Sequence, residues 1–234
     1  MDKEAFLHQL ESAVTNNDKN LFIETIFDLP ADVIVGFTKE EFSHIISISG
    51  LINLQQVDEL FDFLENEGFF FLEKVSEGIN ELNNSLLGRF YYSLFISLSG
   101  NNKERVKSAL INNAVACCKL AEMSVDSRAN LETAVYLCDE AQKIFPKTGS
   151  DYAYALVNEG NARKALAEMG VGSIANLEKA VVLYDEAQNI FPKTGSDYAY
   201  ALVNEGNARK ALAEMGVGSI ANLEKAVVLY DEAQ

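Results

Sequence analysis

Apolar residues recur at helical spacing along almost the whole chain. Near the N-terminus, Phe6, Leu7, Leu10, Ala13 and Val14 fall on one helical face behind Asp2 as an N-cap, and Asn16, Asn17 and Asp18 break the run. Leu21, Phe22, Ile26 and Phe27 predict a second, short helix that Pro30 ends, because proline has no N–H to give a helix interior. Thr38 and Glu41 have the spacing of a capping box, in which the hydroxyl serves a free backbone N–H and the glutamate reaches back. Phe42, Ile45, Ile46 and Ile48 predict the helix behind it, stopping at Gly50. Leu54, Val57, Leu60, Phe61 and Leu64 predict another, ending near Gly68. Two further helices are predicted over 69–82 and 85–99, where Phe69, Phe70, Phe71, Phe90, Tyr91 and Tyr92 read as core. Only 33–35 and 45–48 are β-prone, and both are too short to build a sheet. The chain reads as all-α.

Beyond residue 103 the pattern becomes periodic. The block 150–195 is 46 residues long; 196–234 matches 150–188 at all 39 positions, and 104–149 matches 150–195 at 27 of 46. A repeat of this length marks a stack of supersecondary units. Each unit predicts two antiparallel helices. Ser150 or Asp151 caps the first, which runs to about Met169 with Gly170 closing it; Ser173 or Asn176 caps the second, which runs to about Phe191 and stops at Pro192. The expected architecture is an α-solenoid of helix hairpins over 104–234, divided as 104–149, 150–195 and a shorter 196–234. The segment 1–103 serves as a helical cap or bundle, since an unstacked repeat exposes its apolar face. The sequence stops at Gln234, before the Ile-Phe-Pro that follows the same position in the other units. That reads as a cut in a longer array, with an uncapped last unit able to self-associate. Repeats without a single difference mark a recent duplication or a deliberate copy, and favour a spacer or a low-specificity surface.

Charge narrows the partners. The net charge is −16, with 35 acidic and 19 basic residues, and residues 1–103 hold 17 acids against 6 bases. An acidic chain without a basic patch argues against nucleic acid, whose binding depends on phosphate neutralisation, and against anionic membranes. The longest apolar stretch, 86–98, carries Arg89 and is too short to span a bilayer. Acidic residues at the N-terminus do not fit a signal peptide. Cys117, Cys118 and Cys138 form an odd, clustered set without metal-ligand spacing, and His8 and His44 lie far from them. The expectation is a cytoplasmic protein with free thiols and no metal or cofactor. No phosphate-binding glycine loop, zinc-protease motif or nucleophile elbow occurs, so no enzyme is expected.

The repeat resembles the tetratricopeptide family. Ala180, Tyr184, Ala187 and Pro192 stand at the relative positions of that family's second helix, and Gly160, with Leu156 before it, matches its first. The resemblance covers 104–234. It implies a right-handed solenoid in which Tyr184 fills the gap beside small residues. The period departs from the family's usual repeat of about 34 residues, so longer helices are expected and the pitch cannot be carried over. Glu159 and Arg163 replace apolar residues and are spaced to pair; the first unit has Asn113 and Cys117 there, so both partners change together.

In this family the first helices line a concave groove. The resemblance therefore makes Tyr154, Val157, Asn161 and Lys164 groove-facing, with Tyr200, Val203, Asn207 and Lys210 as their copies. Asn158, Asn204 and Asn112 occupy one repeat position, and a ladder of carboxamides can both donate to and accept from an extended peptide backbone. Val115 and Cys118 replace Asn161 and Lys164 in the first unit, so the groove is not uniform. The expected function is a protein-interaction scaffold for an extended partner segment, basic if it is to suit the acidic surface. The alternative is a structural or self-assembling spacer.

Overall fold

A computed structural model describes residues 1–18, 21, 22, 24, 25, 41, 44, 45, 89, 92, 96 and 103–234. The described residues contain helices and no strand. Seven helices have defined bounds: α1 (Lys3–Thr15), α2 (Lys103–Glu122), α3 (Ser127–Gln142), α4 (Ser150–Glu168), α5 (Ser173–Gln188), α6 (Ser196–Glu214) and α7 (Ser219–Glu232). The chain divides into two compact units, Met1–Ala116 and Cys117–Gln234.

In the first unit, Asp2 caps α1 as expected: the Ala5 N–H donates to Asp2 Oδ1 at 2.8 Å. Phe6, Leu10 and Ala13 are buried on one face. The helix ends at Asn16, and Asn17 takes a left-handed φ of 50°. Lys3 pairs with Glu41 at 3.0 Å, and Phe22 and Ile45 are buried. The proline stop at Pro30, the capping box at Thr38, the helices expected over 54–64 and 69–82, and Phe69, Phe70, Phe71, Phe90 and Tyr91 of the expected aromatic cluster lie outside the described residues, while Tyr92 is helical and half-buried.

The second unit is an array of sequential antiparallel helix pairs, consistent with a helical solenoid. Successive helices from α3 to α7 pack on one another. The turn inside each pair is a Schellman close. At the end of α4, the Val171 N–H donates to Leu166 O and the Gly170 N–H to Ala167 O, both at 2.9 Å. This close needs a left-handed residue, and Gly170 supplies it at φ 79°; Ser124 takes the same conformation in the first repeat, 104–149, at φ 63°.

The capping residues differ from expectation. Gly149 and Gly172 are the N-caps of α4 and α5, and neither helix has a side-chain cap. Ser173 Oγ instead donates backward to Ala167 O at 2.9 Å, and Asn176 Nδ2 to Val171 O at 2.8 Å. Ser173 is already inside the helix behind the Gly172 N-cap, and the tight turn brings both side chains against a carbonyl near the end of α4 and one in the turn. Asp151 sits in the first turn of α4, where its charge favours the helix dipole. The second helix also stops earlier than Phe191, at Gln188, although Phe191 still donates its N–H to Ala187 O at 3.0 Å. No described helix is long and apolar enough to cross a membrane.

Small residues let the helices close up. Ala153, Ala155, Ala162, Ala180 and Ala187 are fully buried, with Leu156, Leu177, Leu183 and Tyr184 filling the space between. A Cβ built on Gly160 would lie 2.6 Å from Tyr184 Cε1, so this position has no room for any other residue unless the ring moves.

Candidate functional site

A buried polar relay joins successive hairpins. Arg163 Nε donates to Glu159 Oε1 at 2.6 Å, which realises the i,i+4 pair expected from spacing. The other carboxylate oxygen accepts from Gln142 Nε2 on α3, also at 2.6 Å. Arg163 reaches onward to Asn176 Oδ1 on α5 at 3.2 Å. One ion pair thus ties the preceding hairpin to both helices of its own. The next repeat reproduces the relay through Gln188, Glu205, Arg209 and Asn222. No buried side-chain nitrogen or oxygen among the described residues lacks a partner, and a satisfied ion pair of this kind favours one stacking register over others. Gln142 and Asn176 were not apparent from spacing, since their partners lie on other helices.

Several of the groove positions turn out to hold the array together. Tyr154 OH donates to Asp197 Oδ2 of the next repeat at 2.5 Å, and its ring meets Phe191 edge-on at a centroid distance of 5.2 Å. That bond to a carboxylate, followed by partial burial, raises the Tyr154 pKa. Asn161 accepts from Tyr184 OH at 2.8 Å and donates to Tyr200 OH at 3.3 Å. In the last repeat, Tyr230 OH donates to Asn207 Oδ1 at 2.9 Å.

The asparagine ladder is partly engaged. Asn158 and Asn204 each donate Nδ2 to the carbonyl one turn back on their own helix, Tyr154 O at 2.9 Å and Tyr200 O at 3.0 Å. Asn158 is half-buried and Asn204 buried. Asn112 belongs to the other compact unit. Lys164 forms no ion pair with a described residue, while Lys210 lies 3.8 Å from Glu214 on the exposed surface. Val157 is buried, so it packs rather than lines a groove, whereas its copy Val203 is exposed.

The second unit does hold a cleft. It has a volume of about 460 Å³ and runs between the end of α2 and the end of α4, with Cys118, Glu122, Asn161, Ala165, Glu168 and Met169 on its walls. Only Asn161 and Cys118 were singled out from the sequence. Glu122 and Glu168 are exposed and have no ion-pair partner among the described residues. The Cys118 thiol is pushed up to about 12, first by burial and then by the charges of Cys117 and Glu122. At neutral pH the free thiol therefore stays protonated. Among the described residues no group of His, Cys, Asp and Glu is placed to hold a metal.

No protein-family model, curated protein or solved structure matches this chain. The internal duplication and the helix pairing define its class: a helical-repeat array.

Proposed function

We propose that the chain is a protein-interaction scaffold, and that the cleft between α2 and α4 receives a basic side chain from an extended partner segment. One observation carries the reading. Glu122 and Glu168, at the ends of α2 and α4, both line one open cleft, are exposed and form no ion pair with a described residue, in a chain of net charge −16. A lysine or arginine entering there gains two carboxylates that the fold leaves uncompensated. Tetratricopeptide-like packing supports the same class, because Gly160 and Tyr184 meet as that resemblance implies.

The test is binding of a short, end-blocked peptide of alternating lysine and alanine to the full chain at low salt, followed by calorimetry. Binding should weaken in the double variant Glu122→Gln/Glu168→Gln. It should persist when two exposed carboxylates elsewhere are removed, in Glu178→Gln/Asp185→Asn. Equal weakening in both would reduce the effect to net charge and overturn the reading.

A spacer is the second reading. It is favoured by the engagement of Tyr154, Asn158 and Asn161 in bonds within the array, which leaves few ligand-facing groups that differ between repeats.

A further inference from the structure

Where the cleft departs from the repeat, it loses a cation. From the block 104–149 it takes Cys118, Ala121, Glu122, Ser124, Ser127 and Leu131. In the block 150–195 the same positions differ at only two of these, with Lys164 for Cys118 and Gly170 for Ser124. Lysine recurs there in the last block, as Lys210.

The last block also shows what a lysine at this position reaches. Lys210 Nζ lies 3.8 Å from Glu214 Oε1, one turn along α6. Lys210 and Glu214 are the counterparts of Cys118 and Glu122. An exposed pair of this spacing adds little stability, but it gives the carboxylate a cation. Glu122 has the Cys118 thiol in that place, uncharged at neutral pH. The cleft's other carboxylate, Glu168, has Lys164 at the same spacing, and Lys164 closes no ion pair with a described residue. The second departure, Ser124, adds a hydroxyl to the lining at a φ of 63°, a conformation that glycine takes freely at Gly170 and Gly216.

We infer that the cleft is the emptied place of the repeat's own lysine, and that it selects the primary ammonium of a partner lysine over the guanidinium of an arginine. The inference rests on the reading of the cleft given above and adds its specificity. A guanidinium is a planar fork that suits one carboxylate edge-on, whereas an ammonium is compact and turns its three donors towards separate acceptors. Glu122, Glu168 and the Ser124 hydroxyl are separate acceptors in one lining.

The probes are two end-blocked peptides of equal length and charge, one of alternating lysine and alanine and one of alternating arginine and alanine. Each is titrated into the full chain by calorimetry at low salt. The lysine peptide should bind about tenfold more tightly, the effect of one charge-assisted hydrogen bond. Cys118→Lys restores the repeat's residue and should weaken the lysine peptide about tenfold or more. Thr133→Lys also restores a repeat residue, that of Lys179, but adds its charge outside the cleft lining; it should change affinity by less than about twofold. Circular dichroism checks the fold of both variants, and the comparison of peptides on the unaltered chain decides the matter if Cys118→Lys does not fold. Equal affinity for the two peptides, or a preference for arginine, overturns the inference and leaves a cleft for basic side chains standing. A lysine preference that persists in Glu122→Gln/Glu168→Gln overturns it too, as does a Cys118→Lys effect no larger than that of Thr133→Lys. If neither peptide binds, the cleft reading itself falls and this inference with it.

Discussion

Replacing Gly160 by alanine sets two effects of known size against each other. Alanine is the better helix former by about 1 kcal/mol. Its Cβ, however, would stand 2.6 Å from Tyr184 Cε1 and 2.8 Å from Cζ. Tyr184 is fully buried and its hydroxyl is bonded to Asn161, so the ring cannot swing aside without breaking that bond. Overpacking of this kind costs about 1–3 kcal/mol, which leaves a net loss of up to about 2 kcal/mol. The repeat 104–149 changes both positions together: it has Ala114 where 150–195 has Gly160, and Cys138 where 150–195 has Tyr184. In a Tyr184→Cys background, itself costly by about 3–5 kcal/mol, Gly160→Ala should therefore stabilise by about 1 kcal/mol. The cycle is measured by urea denaturation of the full chain, followed by circular dichroism because the chain has no tryptophan. Additive changes, with Gly160→Ala stabilising both backgrounds equally, would refute the close approach. Gly206→Ala supplies an internal comparison. The clash with Tyr230 is the same 2.6 Å, but that ring is only half-buried and can yield, so the loss should be smaller.

Leu177→Ala should cost about 2–5 kcal/mol, whereas Leu223→Ala, in an identical local sequence, should cost less than about 1 kcal/mol by the same melts. Glu159→Ala strands Arg163 and Gln142 and should destabilise by about 2–3 kcal/mol; the pair Glu159→Asn/Arg163→Cys, which copies the first unit, should recover part of that loss. Burial, and then the bond to Glu186, pushes Tyr152 up to about 12, and burial also raises Tyr184. Their folded-state values exceed the unfolded value of about 10, so the stability they contribute is full below that pH and is lost as pH rises towards 12. Thermal melts should show this decline, and it should be reduced in Tyr152→Phe.

The helical fold and its pairing were legible because local signals agreed: helical periodicity, Asp2 at a cap, Gly170 at a close and a 46-residue period. The Glu159–Arg163 pair was legible for the same reason, since both partners sit on one helix. The caps Ser173 and Asn176 were misread because Gly172, in a left-handed conformation, takes the N-cap position, and both side chains instead donate back to Ala167 O and Val171 O across the turn. The cleft was not legible. Glu122 and Glu168 are ordinary surface carboxylates until α2 and α4 bring them to the lining of one cleft.

Sequence by itself determined which residues form helices, where each hairpin turns and that the hairpins stack, because propensity, periodicity and repetition act along the chain. Tertiary structure alone decided what each residue does in the stack. Leu177 and Leu223 share every near neighbour in sequence, yet one is core and the other is surface. Tyr154 and Asn161 have the composition of a ligand-binding face, yet they bond to Asp197, Tyr184 and Tyr200. Burial and hydrogen bonding are properties of what packs from outside the segment, and that information lies in the neighbouring helix.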